Sequence, residues 1–318
     1  MNEAPVLYLV IPCYNEEEVL PLTLPAVTGK LDRLKAAGLC HEDSRVLFVD
    51  DGSKDGTWAL LEQAFTERSD VCAVKLAHNR GHQNALYAGL MTALPYADCT
   101  VSMDADLQDD VEVLNEFLQK FAEGCDVVYG VRRARRKDTF FKRATARGFY
   151  RFMRGMGADV VYDHADYRLM SKRALQALAE YGESNLFLRG IVPDIGYKSD
   201  VVYYERSERA AGRSKYPLRK MIAFAVDGIT SFSVKPLTVI SRAGIVISLL
   251  SVLGLLYALI SKFFLQDAVA GWTAIVASIW LLGGIQLFCL GILGTYIGKI
   301  FSEVKHRPRY VTERFLKK

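Results

Sequence analysis

The 318-residue sequence predicts an α/β fold, a mostly parallel sheet with helices on both faces, followed by a C-terminal hairpin of two membrane-spanning helices. Three observations carry that reading. Between residues 6 and 130, strand-like apolar runs alternate with helix-length periodic segments. Polar clusters recur where those runs end, and two long uncharged stretches stand near the C-terminus.

In chain order, VLYLVIP reads as the first strand. It follows Glu3, has no basic leader and reaches Pro12 after a short apolar run, so no signal peptide is expected. A helix is expected over Glu16 to Ala37, then the strand RVLFVD and a helix over Thr57 to Thr66. VCAVKLA and His82 to Leu94 form the next strand and helix, CTVSMD and Val111 to Ala122 the next, and DVVYG a further strand. Strand, helix, strand in this rhythm gives a parallel sheet, whose ligands bind beyond the C-terminal ends of its strands. Asn15 and Glu16, Asp50 and Asp51, Asn79 to Gln83, and Asp104 with Asp106 all fall at such ends. With no G-x-G-x-x-G and no G-x-x-x-x-G-K-[ST], a dinucleotide oxidoreductase or a P-loop enzyme loses its main support.

Ala243 to Ile260 runs eighteen residues without a charge, and Trp272 to Gly298 is likewise uncharged. At 1.5 Å per residue each can span about 30 Å of hydrocarbon, and neither has the polar face that a helix of a soluble bundle needs. Lys235 and Arg242 precede the first stretch and Lys299, Lys305, Arg307 and Arg309 follow the second, so the positive-inside rule puts both flanks and the N-terminal body in the cytoplasm. The expected division is a catalytic domain over 1–214 and an interfacial amphipathic region over 215–236. Two spans within 237–300 follow, about 238–261 and 272–298, and then a cytoplasmic tail over 301–318. Lys215 to Pro236 suits a helix on an anionic leaflet; Thr139 to Met156, basic and aromatic, suits either that or an ordinary solvated helix.

The composition agrees. Hydrophobic residues make up 51% and charged residues 24%, which excludes disorder, collagen and a disulfide scaffold. Forty Lys and Arg against 36 Asp and Glu leave +4, too small an excess to indicate a nucleic-acid partner. Cys13, Cys40, Cys72, Cys99, Cys125 and Cys289 form no C-x-x-C pair, a pattern that suits a reducing cytosol and no zinc site.

Chemistry concentrates in three motifs. In DADLQDD, Asp104 to Asp110, two carboxylates separated by Ala105 leave a buried strand and can hold a hard divalent cation completed by phosphate oxygens and water; Gln108 offers a further oxygen. Elsewhere an acidic pair before a helix more often caps it, but here Asp104 follows the apolar strand directly. In FVDDGSKDGT, Gly52 and Gly56 make a tight turn, Ser53 or Asp55 can cap the next helix, and Asp51 can accept hydrogen bonds from a base or ribose. In VIPCYNEEEVL, Tyr14 can stack near a base while Glu16 either bonds ribose or caps the helix.

These motifs, with NRGHQNAL at Asn79 to Leu86 and ERSERAAGRSKYPLRK at Glu205 to Lys220 ahead of two spans, resemble the family 2 glycosyltransferases that charge polyprenyl phosphate. The resemblance is closest to the bactoprenol glucosyltransferase subgroup related to dolichol-phosphate mannose synthase. It implies a GT-A fold, a nucleotide-sugar donor, Mg or Mn, and an inverting transfer that yields a polyprenyl monophosphate sugar. By the same resemblance Pro12, Tyr14, Glu16, Asp51, Asp104, Ala105 and Arg132 contact the nucleotide sugar, Asp106 and Gln108 bind the metal, and Arg209 and Lys215 contact phosphates. Asp166, in HADYR where related enzymes have G-D-F-R, joins Asp104 and Asp106 as a catalytic candidate. The processive motif Q-x-x-R-W is absent, the only tryptophans being Trp58, Trp272 and Trp280, which disfavours polymerisation.

A phosphate monoester has a second pKa near ~6, so a polyprenyl phosphate needs little deprotonation, and Asp166 is expected to orient or assist more than abstract, or else to order Arg168 or a turn. Bringing an anionic acceptor to an anionic donor calls for cations, here Arg132, Arg189, Arg209, Arg213 and Lys215. The expected activity is transfer of a hexose, with glucose from UDP-glucose as the leading assignment, onto undecaprenyl or another polyprenyl phosphate at the cytoplasmic face of the inner membrane. The alternatives are a GDP-mannose-using mannose synthase, a transferase of another modified sugar, a nucleotidyltransferase and a catalytically silent membrane scaffold. Expected partners are the nucleotide sugar, the lipid and the membrane, with no nucleic acid; a homo-oligomer, a flippase and a downstream glycosyltransferase are allowed.

Overall fold

Leu7–Cys13 forms β1, buried along its whole length, and its alternation decides which helix covers which face. In the computed structural model, residues 4–133, 164–183, 186–205, 235–260 and 272–318 are described. Leu7, Leu9 and Ile11 share one core with Leu20, Val27, Leu31 and Leu34 of α1 (Leu20–Ala36), Leu61 and Ala64 of α2 (Thr57–Glu67), and Leu114, Phe117 and Leu118 of α4 (Leu114–Ala122). Val10 points the other way, toward α3 (His82–Ala93). Period-two burial thus puts helices on both faces, as the sequence predicts.

Among the described residues, the remaining strands and α-helices of the sheet domain are β2 (Arg45–Asp50), β3 (Val71–Leu76), β4 (Cys99–Ser102), β5 (Val127–Arg132), β6 (His164–Ser171), β7 (Ser199–Tyr204) and β8 (Thr312–Leu316), with α5 (Lys172–Glu180) and α6 (Leu188–Asp194). They complete one eight-stranded sheet in the order β7-β5-β6-β4-β1-β2-β3-β8. β4, β1, β2 and β3 run parallel, as do β5 and β7, whereas β6 runs antiparallel between β4 and β5. β8 pairs antiparallel with β3, so part of the segment expected as a cytoplasmic tail adds an edge strand to the sheet. Neither β6 nor β8 is marked by the apolar runs that announce the others. β6 carries Asp166 and Arg168 at buried positions, and β8 is a short exposed edge strand.

A second unit contains α7 (Lys235–Ile260) and α8 (Trp272–Val304), each an unbroken helix. Within α8, Leu282–Val304 is long and apolar enough to cross a membrane. The expected interfacial helix over 215–236 and the amphipathic stretch Thr139 to Met156 lie outside the described residues.

Among the described glycines, Gly89 of α3 leaves the least room for a side chain. A methyl group there would meet Val10 of β1 and lie 2.7 Å from Cγ2 of Val49 of β2. Alanine gains up to about 1 kcal/mol of helix propensity, but overpacking a rigid core costs about 1–3 kcal/mol. Gly89→Ala is therefore expected to lower stability by about 1–2 kcal/mol, measured by denaturant unfolding.

Candidate active site

The loops after β1 and β2 are zipped together at the rim. Asn15, in the left-handed region at φ 52°, donates its N–H to Ser53 Oγ at 2.9 Å and accepts from the Lys54 N–H at Oδ1 at 2.9 Å. The Glu16 N–H donates to Thr57 Oγ1 and the Gly56 N–H to Glu17 Oε2, each at 2.9 Å. Much of the polar content of both motifs thus builds the rim itself. Tyr14 stays 42% exposed above it, while Pro12 lies buried in β1 opposite Val49.

Asp51 continues this work. Its buried carboxylate accepts the Arg80 N–H at 2.7 Å and the Gly81 N–H at 2.8 Å, pinning the turn that opens α3. Gly52 has φ 68°, and a Cβ there would stand 2.8 Å from the Asn79 nitrogen, so only glycine permits this approach. The outcome is a fixed position for His82 and Gln83, the first residues of α3.

Beyond β4 the acidic loop is anchored from α1, where the buried Thr23 hydroxyl donates to the Ala105 carbonyl at 2.6 Å. Leu107 takes φ 52°, and the Gln108 N–H donates to Asp106 Oδ1 at 3.2 Å, folding the loop back on itself. Burial pushes the Asp104 carboxyl up to about 6; His82, 3.6 Å away, opposes that shift, and Asp109, Asp166 and Asp106 add to it. Among the described residues no three His, Cys, Asp or Glu side chains converge as a metal cage. A hard cation bound partly through phosphate and water needs only one or two carboxylates, and a desolvated carboxyl among other carboxylates is the environment such a cation complements. The oxygen donors of Asp104, Asp106 and Gln108 fit one.

Asp166 is the hub of the rim. Its Oδ1 accepts from Arg168 Nη2 at 2.6 Å and from Arg189 Nε at 3.3 Å, and its Oδ2 from Arg189 Nη2 at 3.1 Å and Gln83 Nε2 at 3.2 Å. His82 Nε2 lies 3.6 Å from the same Oδ2, midway to Asp104. Burial alone would raise this carboxyl, but His82, Arg168 and Arg189 outweigh it and hold it well below the usual range. The reciprocal effect raises His82, since Asp166 and Asp104 overcome its burial. Arg168 is fully enclosed and has Asp166 as its ionic partner, whereas the Arg189 side chain remains 34% exposed to the rim.

Arg132, at the end of β5, donates Nε to Tyr204 Oη at 3.1 Å and lies 3.4 Å from Asp109 Oδ1, which also accepts from the Tyr204 hydroxyl. The chain thus brings Asp104, Ala105, Asp106, Gln108, Asp166, Arg189 and Arg132 to one side of the sheet domain, with Tyr14, Glu16 and Asp51 on the neighbouring strand ends. Arg209, Arg213 and Lys215 lie outside the described residues. The sequence alone marks no role for His82 or Gln83, although both stand at a polar strand end, nor for Asp109 and Tyr204, which are 95 positions apart.

A mostly parallel sheet whose C-terminal rim gathers an acidic loop and a guanidinium cluster suits a glycosyl transferase, and comparison with known proteins agrees. The model of glycosyl transferase family 2 matches residues 8–179. The glycosyltransferase YkoT of Bacillus subtilis is 54% identical over 309 residues, covering 97% of this chain and 91% of that protein. The SfII prophage-derived bactoprenol glucosyl transferase of Shigella flexneri is 35% identical over 307 residues, 96% of this chain and 97% of that one. A prophage bactoprenol glucosyl transferase homolog of Escherichia coli is 34% identical over 310 residues, 97% and 99% of the two chains. The chain belongs to glycosyl transferase family 2.

Proposed function

We propose that the chain transfers glucose from UDP-glucose to undecaprenyl or another polyprenyl phosphate at the cytoplasmic membrane face. The observation that carries this reading is the Arg189 side chain, one-third exposed at the rim and held by a buried carboxylate beside an acidic loop suited to a cation. One site thereby offers positive charge to an acceptor phosphate and a cation position to a donor diphosphate. Near full-length likeness to bactoprenol glucosyl transferases supports the lipid acceptor and the hexose.

Asp106 and Gln108, with Asp104 beside them, would hold Mg or Mn. When bound, such an ion neutralises the charge of a departing diphosphate. The protein's own groups do the rest. Arg189 binds the acceptor phosphate and reduces its repulsion from the donor, and Arg132, Arg209 and Lys215 add charge around the phosphates. The acceptor is largely dianionic at neutral pH, so its oxygen attacks the anomeric carbon from the face opposite the diphosphate without surrendering a proton. The new C–O bond forms as the bond to UDP breaks, with inversion. Asp166, ionised and saturated by donors, orients Arg168 and Arg189 and is not the proton acceptor. Tyr14, Glu16, Asp51 and Pro12 form the nucleotide end of the rim.

Connectivity supports the membrane topology. β7 and β8 belong to one sheet, so the chain between them crosses a bilayer an even number of times, as a hairpin of α7 and α8 does. Incubating membranes containing the full chain with radiolabelled UDP-glucose, UDP-galactose and GDP-mannose, then extracting lipid, tests the assignment. Label is expected in the lipid phase from UDP-glucose; transfer only from GDP-mannose would replace the hexose assigned here.

A further inference from the structure

Arg309 follows α8 and precedes β8, in the segment that returns to the sheet domain. Its Nε donates to the Glu183 carbonyl at 2.9 Å and its Nη2 to the Tyr181 carbonyl, both in the segment after α5. The same guanidinium stacks over the Tyr87 ring of α3, 4.5 Å from its centre, and Tyr310 meets that ring edge-on at 6.3 Å. The anchorage is firm: the Ala77 N–H donates to the Val311 carbonyl at 2.9 Å, and β8 continues the pairing along β3.

Of the two elements that Arg309 joins, α3 reaches Asp166 directly and the 181–183 segment precedes α6, whose Arg189 does. Tyr87 lies one turn beyond Gln83 on α3, and Gln83 both donates to Asp166 and accepts the Leu188 N–H at Oε1 at 3.2 Å. The 181–183 segment leads to α6, whose first turn carries Leu188 and Arg189, and the Leu188 carbonyl in turn accepts from Arg168. A planar fork that grips two carbonyls and a ring at once fixes α3 against the approach to α6, which a point charge could not do as well.

We infer that Arg309 is a positioning residue for the transfer site: it holds α3 and the approach to α6 in the register that keeps Gln83 and Arg189 on Asp166. The chain beyond the last helix is then a working part of the site, though it touches no substrate. This inference rests on the transfer reaction proposed above only for its kinetic readout.

The test uses the full chain in lipid nanodiscs, as wild type, Arg309→Gln, Arg309→Lys and Arg314→Gln. Arg314 lies on β8 and pairs with Glu62 at the surface, so its variant reports any general loosening of the strand. Hydrogen exchange of the Leu188 amide and steady-state kinetics are measured together. Arg309→Gln is expected to speed Leu188 exchange about tenfold and to lower kcat about tenfold or more, with KM for UDP-glucose within about twofold. Arg309→Lys should recover part of kcat, and Arg314→Gln should match wild type. Unchanged Leu188 protection in Arg309→Gln, or an equal loss in Arg314→Gln, would overturn the inference. If Arg309→Gln does not fold, Arg309→Lys carries the same two measurements, and wild-type exchange and kcat there would overturn it equally. A wild type that transfers no sugar would sink the proposed reaction, while the exchange measurement would still decide the role of Arg309.

Discussion

Asp106→Asn is expected to reduce sugar transfer about a thousandfold, roughly 4 kcal/mol of transition-state stabilisation, while the protein stays folded and membrane-bound. Asparagine retains an oxygen that can accept the Gln108 N–H, so the loop loses little of its local geometry. What goes is the negative charge that a hard cation requires. Mn binding should weaken in parallel, which separates a ligand from a mere loop residue. Activity within a few-fold of wild type in excess Mg or Mn would remove Asp106 from the metal site.

Asp166→Asn should be damaging in two ways at once. Arg168 would be left buried without its counter-charge, which costs about 3–5 kcal/mol when one partner of an enclosed pair is removed. Arg189 would lose the carboxylate that aims it, and transfer should fall about a hundredfold or more. The pH dependence gives a second signature. The folded carboxyl is held below its unfolded value of ~3.9, so its contribution is fully present above that value and disappears as pH falls through the folded one. The stability gap between wild type and Asp166→Asn is therefore expected to be constant near neutrality and to close on acidification below about pH 4, measured by urea unfolding across pH. Because Asp166 stays ionised throughout the neutral range, the rate profile there should carry no step from it. A neutral-range step that vanishes in Asp166→Asn but persists in His82→Gln would make Asp166 the base.

How much of this was legible in the sequence depends on how far apart the cooperating residues lie. The rim loops were readable because each polar cluster immediately follows its own apolar strand, as Asp104 follows CTVSM and Asp51 follows VLFVD. Their division of labour was not. Asp51 reads as a ligand for base or ribose, and each of its oxygens also accepts a backbone N–H some 30 positions away, a second task no local pattern shows. β6 was hidden because Asp166 and Arg168 satisfy each other inside the sheet and so break the apolar alternation that marks a strand. β8 was hidden for the opposite reason: TERFL is short and polar, and it becomes a strand only because β3 offers an unpaired edge. The Asp109–Tyr204–Arg132 cluster joins residues from three distant segments, a relation no local pattern carries.

The products of the reaction decide between transfer to lipid and its rivals. Full-length protein in nanodiscs, supplied with UDP-glucose, a polyprenyl phosphate and Mg or Mn, should release one UDP for each glucose that enters the lipid, and should release little without the lipid phosphate. Release of pyrophosphate, or UDP formation with no glucose in the lipid, would contradict it.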